Sequence, residues 1–178
     1  MRIISGKFRG LKLGEFSGKD IRPTADRVKE SLFNILGDKV VEATVLDLFC
    51  GSGSLGLECI SRGARFVHFN DNSPPSIAVL TKNLQKISSE KNYYISKLDY
   101  AQCLINSSYK YDIVFIDPPY SSDAGIASLK MIGKGGNLNT NGIAVFERDR
   151  KFEGEIEGLT VLDERKYGKT YLTFFKVK

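Results

Sequence analysis

From Thr44 onward the chain alternates short apolar runs with stretches whose apolar residues recur at helical spacing. Val45-Leu46-Asp47-Leu48-Phe49 reads as a strand, Cys50-Gly51-Ser52-Gly53 as a tight turn, and residues 55–62 as a helix closed by Gly63. Residues 66–70 form the next strand. Ser73 can cap a helix that has Pro74 at its first position and turns Ile77, Leu80, Leu84 and Ile87 to one side. A third strand is predicted over 93–97, a short helix over 101–106, and a fourth strand over 113–116. A Gly/Asn-rich loop over 133–142 then leads to a fifth strand, Ile143-Ala144-Val145-Phe146-Glu147. Here the alternation stops, and two strands over 159–164 and 170–177 are predicted to close an antiparallel hairpin around Tyr167-Gly168.

Ahead of this series, Ile3-Ile4 and Leu11-Lys12-Leu13, separated by Gly6 and Gly10, read as a small hairpin. A polar link over 15–20 precedes Arg22-Pro23-Thr24, where Thr24 is expected to cap a helix with Val28, Leu32, Phe33 and Leu36 on one face and Gly37 at its end. Alternating strand and helix units followed by a hairpin predict an α/β fold, a doubly wound, mostly parallel sheet of seven strands with an antiparallel end. The expected organisation is a basic hairpin extension over residues 1–21 and one main domain over 22–178.

Composition narrows the class without naming it. At 178 residues, 42% hydrophobic and 26% charged, the chain has the makings of one globular domain with a substantial core. No apolar run approaches membrane-spanning length, and Met1 to Lys7 has no apolar signal core, so the expected compartment is the cytosol. Cys50, Cys59 and Cys103 are an odd set with no C-x-x-C pair, which predicts buried, reduced thiols. His68 is the single histidine, so neither a Ser-His-Asp scheme nor a multi-histidine metal site is indicated. The net charge of +5 is concentrated at one end: residues 1–29 hold Arg2, Lys7, Arg9, Lys12, Lys19, Arg22, Arg27 and Lys29 against Glu15, Asp20 and Asp26, and the remainder balances. With Phe8 among the bases, that excess is the footprint of a segment that touches phosphates; a solvated basic tail would leave the same trace.

The chemistry converges on strand ends. Asp117-Pro118-Pro119-Tyr120 follows the fourth strand, and the paired prolines stiffen the loop. Asp117 offers acceptor oxygens, Pro118 a carbonyl without its own N–H, and Tyr120 a stacking face. Together they suit a planar amine, such as the exocyclic nitrogen of a purine turned out of its helix. A plain strand-to-loop exit would also explain the tetrapeptide taken alone. Gly51-x-Gly53-x-x-Gly56 has the spacing of an adenosine-cofactor loop, and Asp71 lies where a ribose-binding acid would. Asp47 before the turn, Asp99 with Tyr100 after the third strand, and the absence of a residue set for hydride transfer favour S-adenosylmethionine over NAD. In that reading Asp71 takes the ribose hydroxyls, Asp99 and Tyr100 the adenine edge, and Asp47 the ammonium, with Gly51 and Gly53 allowing close backbone approach. Each acid could instead be a turn or helix cap, but all four strand ends would face one cleft.

Read together, these residues are similar to the bacterial 16S ribosomal RNA guanine-N2 methyltransferases of the small-subunit methyltransferase D type, the guanine-966 enzymes. The resemblance runs nearly end to end. It is carried by Met1-Arg2-Ile3-Ile4-Ser5-Gly6-Lys7-Phe8-Arg9-Gly10, by Arg22 through Asn34, by Val45 through Ala64, and by Asp112 through Tyr120. It implies a Rossmann-like class I fold, S-adenosylmethionine as cofactor, 16S RNA in the small subunit or an assembly intermediate as substrate, ribosomal proteins nearby and a monomeric enzyme without a metal. It places cofactor binding on Asp47, Phe49, Gly51, Gly53, Asp71, Asn72, Asp99 and Tyr100, with Thr24 beside the methionine end. Catalysis falls on Asp117, Pro118, Pro119 and Tyr120, and RNA binding on Lys7, Arg9, Arg22 and Arg27. The chain departs from the pattern at Cys50, Cys59 and Asn70-Asp71-Asn72-Ser73. The competing readings are a DNA adenine-N6 methyltransferase, a protein-glutamine methyltransferase, which carries Asn where Asp117 stands, and a non-catalytic RNA-binding protein that keeps the fold.

Overall fold

A computed structural model describes residues 1–14, 23–87, 89–119 and 122–178. The strands β1 (Thr44–Asp47), β2 (Phe66–Asn70), β3 (Tyr93–Ser96), β4 (Tyr111–Ile116), β5 (Leu138–Arg148), β6 (Leu159–Tyr167) and β7 (Thr170–Val177) form one seven-stranded sheet in the order β3-β2-β1-β4-β5-β7-β6. The first five are parallel, and β7 runs antiparallel to both β5 and β6. Every residue of β1 is buried, as a strand covered on both faces requires. After β3 the chain returns to lay β4 beside β1, so the direction of winding reverses between them. At such a reversal the connections leave in opposite directions, and a crevice opens outside the carboxyl ends of the strands.

Among the described residues, five α-helices cover the two faces. On one lie α1 (Pro23–Leu36), α2 (Ser54–Ser61) and α3 (Pro74–Gln85), whose Leu32, Phe33, Leu57, Leu80 and Leu84 join Val45, Val67, Phe69 and Phe115 in one core. On the other lie α4 (Tyr100–Asn106) and α5 (Ala124–Gly135), which pack Cys103, Leu104, Leu129 and Ile132 against Leu46, Val114, Ile116 and Phe146. The local signals for α3 and α4 act as expected: Ser73 accepts from the Ser76 N–H with Pro74 following, and Asp99 accepts from Ala101 N–H. Helix α1 begins at Pro23, so Thr24 is its second residue and not its cap.

The largest difference from the sequence reading lies between residues 124 and 142, where a helix fills a stretch given no element and its end, with the long start of β5, replaces the loop expected over 133–142. The glycines that disguise this segment are packing residues. A Cβ on Gly125 would sit 2.4 Å from the Phe146 ring, and one on Gly133 would sit 2.1 Å from the Glu157 carbonyl oxygen. The helix is glycine-rich because it passes close to its neighbours.

Residues 1–14 fold back as a small hairpin-like turn, with an antiparallel bridge from Arg2 to Lys12 and a bond from Ile3 N–H to the Leu11 carbonyl. Ile3 and Leu13 are buried in the α1–α3 core. Helix α2 holds this segment from beneath. Glu58 accepts from the N–H groups of Ile4 and Ser5 at 2.8 and 3.0 Å, and Ser61 accepts from Lys7 N–H through its carbonyl and from Phe8 N–H through its hydroxyl.

Candidate functional site at the carboxyl ends of the strands

The glycine turn between β1 and α2 is built from its own backbone and from two acids. Gly51 and Gly53 take positive φ values of 53° and 80°, and Gly53 N–H closes the turn on the Cys50 carbonyl at 2.7 Å. Gly56 lies so close to β2 that a Cβ there would meet the Phe69 ring at 2.2 Å. A Cβ on Gly51 would meet nothing within 4 Å, so the turn presents bare backbone to open space. Asp47 accepts from Gly56 N–H at 3.0 Å, and Asp71 accepts from Gly51 N–H and Ser73 N–H, each at 2.9 Å. These acids fix the loop and its rim.

Their exposure separates their roles. Asp47 is buried beneath the turn, whereas Asp71 is half-buried at the rim with lone pairs to spare, and Asp99 is exposed at the start of α4 with Tyr100 behind it. Phe49 packs its ring 5.8 Å from Tyr100, which makes an apolar wall between the turn and Asp99. Asn72 is exposed. Asn70, in contrast, is buried and structural: its side chain donates to the Leu48 and Leu98 carbonyls and accepts from Ser96 and Leu98, pinning together the ends of β1, β2 and β3. A bare glycine turn, an aromatic wall and two acids on the rim fit an adenosine-bearing cofactor with ribose hydroxyls to donate.

Burial raises the Asp47 carboxyl to about 7, against an ordinary 3.8, with Asp71 adding to the push and the Gly56 N–H opposing it. The folded chain therefore keeps a proton that the unfolded chain releases between about pH 4 and 7, and stability falls as pH rises across that window. His68 acts in the other direction. It is buried between the Tyr111 hydroxyl at 2.7 Å and the Ser96 hydroxyl at 2.8 Å, and burial lowers it from 6.5 to about 4, so stability is lost as pH falls through that range. The expected result for Asp47→Asn is a stability that climbs more steeply than wild type between pH 4 and 7, because the opposing Asp47 slope is gone while the His68 slope stays. Urea midpoints measured at pH 5, 6 and 7 test this. Parallel curves for the two proteins would show that Asp47 is ionised in the folded state.

Across the winding reversal, Asp117 and Pro118 leave the end of β4. Asp117 is exposed to the crevice, but protein packed around its other sides, then Glu147 and Asp47, push its carboxyl well above the ordinary range. Pro118 is buried, and Pro119 is exposed beside it. Tyr120 and Arg22 lie outside the described residues, as does the side chain of Thr24, whose backbone is in the first turn of α1. The remaining basic candidates lie on the amino-terminal side: Arg9 and Arg27 are exposed, and Lys7 is exposed but paired with Glu90.

Four participants were not marked as site residues by the sequence reading. Asn83, fully buried on α3, bonds both the N–H and the carbonyl of Gly14 and also donates to the Ser52 carbonyl at 2.9 Å, tying the amino-terminal segment to the glycine turn. Lys29 and Glu58 form a buried pair at 3.4 Å between α1 and α2. Glu147 is the penultimate residue of β5, beside Asp117, and the sequence marks it only as the close of a strand. Its signal was the same as that of Asp117, an acid directly after an apolar run.

Residues 1–176 match the family model described as Conserved hypothetical protein 95. A relative named Ribosomal RNA small subunit methyltransferase D, from Haemophilus influenzae, is 38% identical over 84% of this chain and 79% of its own length. The chain belongs to the small-subunit rRNA methyltransferase D family. A further relative, named Putative rRNA methyltransferase YlbH, from Bacillus subtilis, is 34% identical over 99% of this chain and 98% of its own. Among solved structures, the putative methyltransferase yhhF from Escherichia coli superposes with a TM-score of 0.89 at 29% identity, covering 100% of this chain and 98% of that one. The likeness thus extends over the whole chain, which has the Rossmann-like class I methyltransferase fold.

Proposed function

We propose that the protein transfers a methyl group from S-adenosylmethionine to the exocyclic N2 amine of one guanine in 16S rRNA, the guanine-966 type. The observation that carries this reading is the position of the Asp117-Pro118-Pro119 loop, directly across the winding reversal from the bare glycine turn. A base entering the crevice there meets the cofactor's reactive end without crossing any element.

When bound, S-adenosylmethionine supplies a methyl carbon already activated by its sulfonium, so alignment carries most of the rate. Asp71 accepts from the ribose hydroxyls, Asp99 and Tyr100 border the adenine, and Gly51 lets backbone approach closely, while Gly53, where a Cβ would meet Leu80 at 2.3 Å, packs the turn onto the core. Asp117 and the Pro118 carbonyl accept the two N2 hydrogens and turn the nitrogen lone pair toward the methyl carbon. S-adenosylmethionine held by these residues would supply the methyl group to that nitrogen, and the proton the amine gives up would pass to solvent beside the exposed Asp117 carboxyl. Hydrogen bonds from the amine favour the ionised Asp117 that burial and the neighbouring Glu147 oppose. Tyr120 stacks the base, and Thr24 borders the methionine end.

Residues 1–21 act as the RNA-contact extension of the domain over 22–178, with Lys7, Arg9, Arg22 and Arg27 on phosphates. Substitution of Arg9 by Ala should weaken binding to small subunits and to naked 16S RNA alike and reduce the slope of log K against log salt by about 1. An unchanged slope would remove Arg9 from the phosphate contacts. The enzyme works as a monomer in the cytoplasm with ribosomal proteins as neighbours, and no helix among the described residues is long and apolar enough to cross a membrane.

The direct cellular test is nucleoside mapping of 16S RNA from cells deleted for the gene. One N2-methylguanosine should be missing, restored by the wild-type chain and not by Asp117→Ala. An unaltered N2-methylguanosine content would contradict the proposal.

A further inference from the structure

Register places a second carboxylate next to Asp117. Ile116 of β4 pairs with Phe146 of β5, so Asp117 and Glu147 are the next residues of two neighbouring parallel strands. Strand alternation puts both on the sheet face that carries Asp47, whose partner on β4 is Phe115, two residues before Asp117. Glu147 is half-buried and, with Pro118 and Pro119, lines the opening under the loop, beside Arg148, Asp149 and Arg150. The closeness of the two acids is also felt electrostatically, since Glu147 is the leading charge acting on Asp117.

Two acceptor groups side by side suit one edge of one base. Guanine presents N1–H next to its N2 amine, three hydrogens in a row, whereas adenine presents a bare N1 lone pair beside its amine. We propose that Glu147 accepts the N1–H of the target guanine while Asp117 and the Pro118 carbonyl hold N2, which makes Glu147 the residue that selects guanine over a purine with an unprotonated N1. The inference rests on the guanine-N2 reading above. A purine with a bare N1 would set a lone pair against the Glu147 carboxylate, one acceptor facing another. A guanine brings donors to both acids at once and relieves their mutual repulsion.

The test uses small subunits reconstituted from 16S RNA with guanine or 2-aminopurine at the methylated position. The analogue keeps the amine but has no hydrogen on N1. Wild type should favour guanine by at least about 100-fold in kcat/KM, since sites built to bond a polar group strongly reject analogues that lack it. Glu147→Gln, whose amide can donate to a bare N1, should shrink that preference to below about tenfold. The variant should bind S-adenosylhomocysteine like wild type, which shows that the crevice is intact. The analogue also lacks O6, so the change in ratio between the two proteins is the decisive quantity. An unchanged ratio in Glu147→Gln overturns the role of Glu147 even if wild type methylates guanine. Failure of wild type to methylate the guanine subunits overturns the N2 reading itself.

Discussion

Asp117→Ala is expected to bind S-adenosylhomocysteine with near wild-type affinity and to lose methyl transfer by on the order of 100- to 1,000-fold in kcat, the usual size of removing one preorganised polar group from a reacting centre. The separation follows from position. Asp117 ends β4, while the groups that would hold the cofactor end β1, β2 and β3 on the other side of the winding reversal. Asp117 is also crowded by Glu147 and Asp47, so its removal relieves repulsion and leaves the fold no less stable. Calorimetric titration with S-adenosylhomocysteine and single-turnover transfer to small subunits give the two numbers. Equal losses in both would make Asp117 a structural support of the cofactor site and remove it from the reacting centre.

Glu58→Ala is expected to lower the unfolding temperature by about 10 °C and to release the amino-terminal segment. Glu58 is fully buried and accepts from Ile4 N–H, Ser5 N–H and Arg62 Nε while facing the Lys29 ammonium. Burial already pulls the Lys29 pKa down, with Glu58 the main opposing influence. Removing one partner of such a pair leaves an uncompensated charge and typically costs about 3–5 kcal/mol, and each kcal/mol is worth roughly 2–4 °C in a chain of this size. Thermal unfolding by circular dichroism measures the first effect. Limited proteolysis, expected to cut within residues 1–14 of the variant and not of wild type, measures the second. Replacing both partners, Glu58→Leu with Lys29→Met, should recover part of the lost stability because no buried charge remains. A variant as stable as wild type, with its amino terminus still protected, would show that the segment is held by its apolar contacts through Ile3 and Leu13 alone.

What was legible in the sequence was what neighbouring residues decide together. The apolar run from Ile113 to Ile116 and the prolines after it define a strand end without help from the rest of the chain, and the spacing of Gly51, Gly53 and Gly56 defines a turn. Ser73 and Asp99 announced their helices because a cap acts within a few residues. Asn83 and Glu58 could not be read that way. The bonds that give them meaning reach residues 69 and 54 positions away, and nothing local separates them from ordinary polar residues of a helix. Helix α5 was hidden for a related reason, since Gly125 and Gly133 lower helical propensity locally and are required by Phe146 and Glu157 at a distance. Asp47 was expected to face the cofactor's ammonium, and the structure shows it beneath the turn, bonded to Gly56 N–H.

The central claim is that the crevice joins a cofactor's methyl group to a guanine amine of ribosomal RNA. The most direct measurement is transfer of label from S-adenosylmethionine by the purified protein to unmethylated small subunits, naked 16S RNA and duplex DNA, followed by nucleoside analysis. Label recovered as N2-methylguanosine, strongest from subunits, is the expected result. Label found only as methyladenine in DNA, or none in any acceptor, would contradict it.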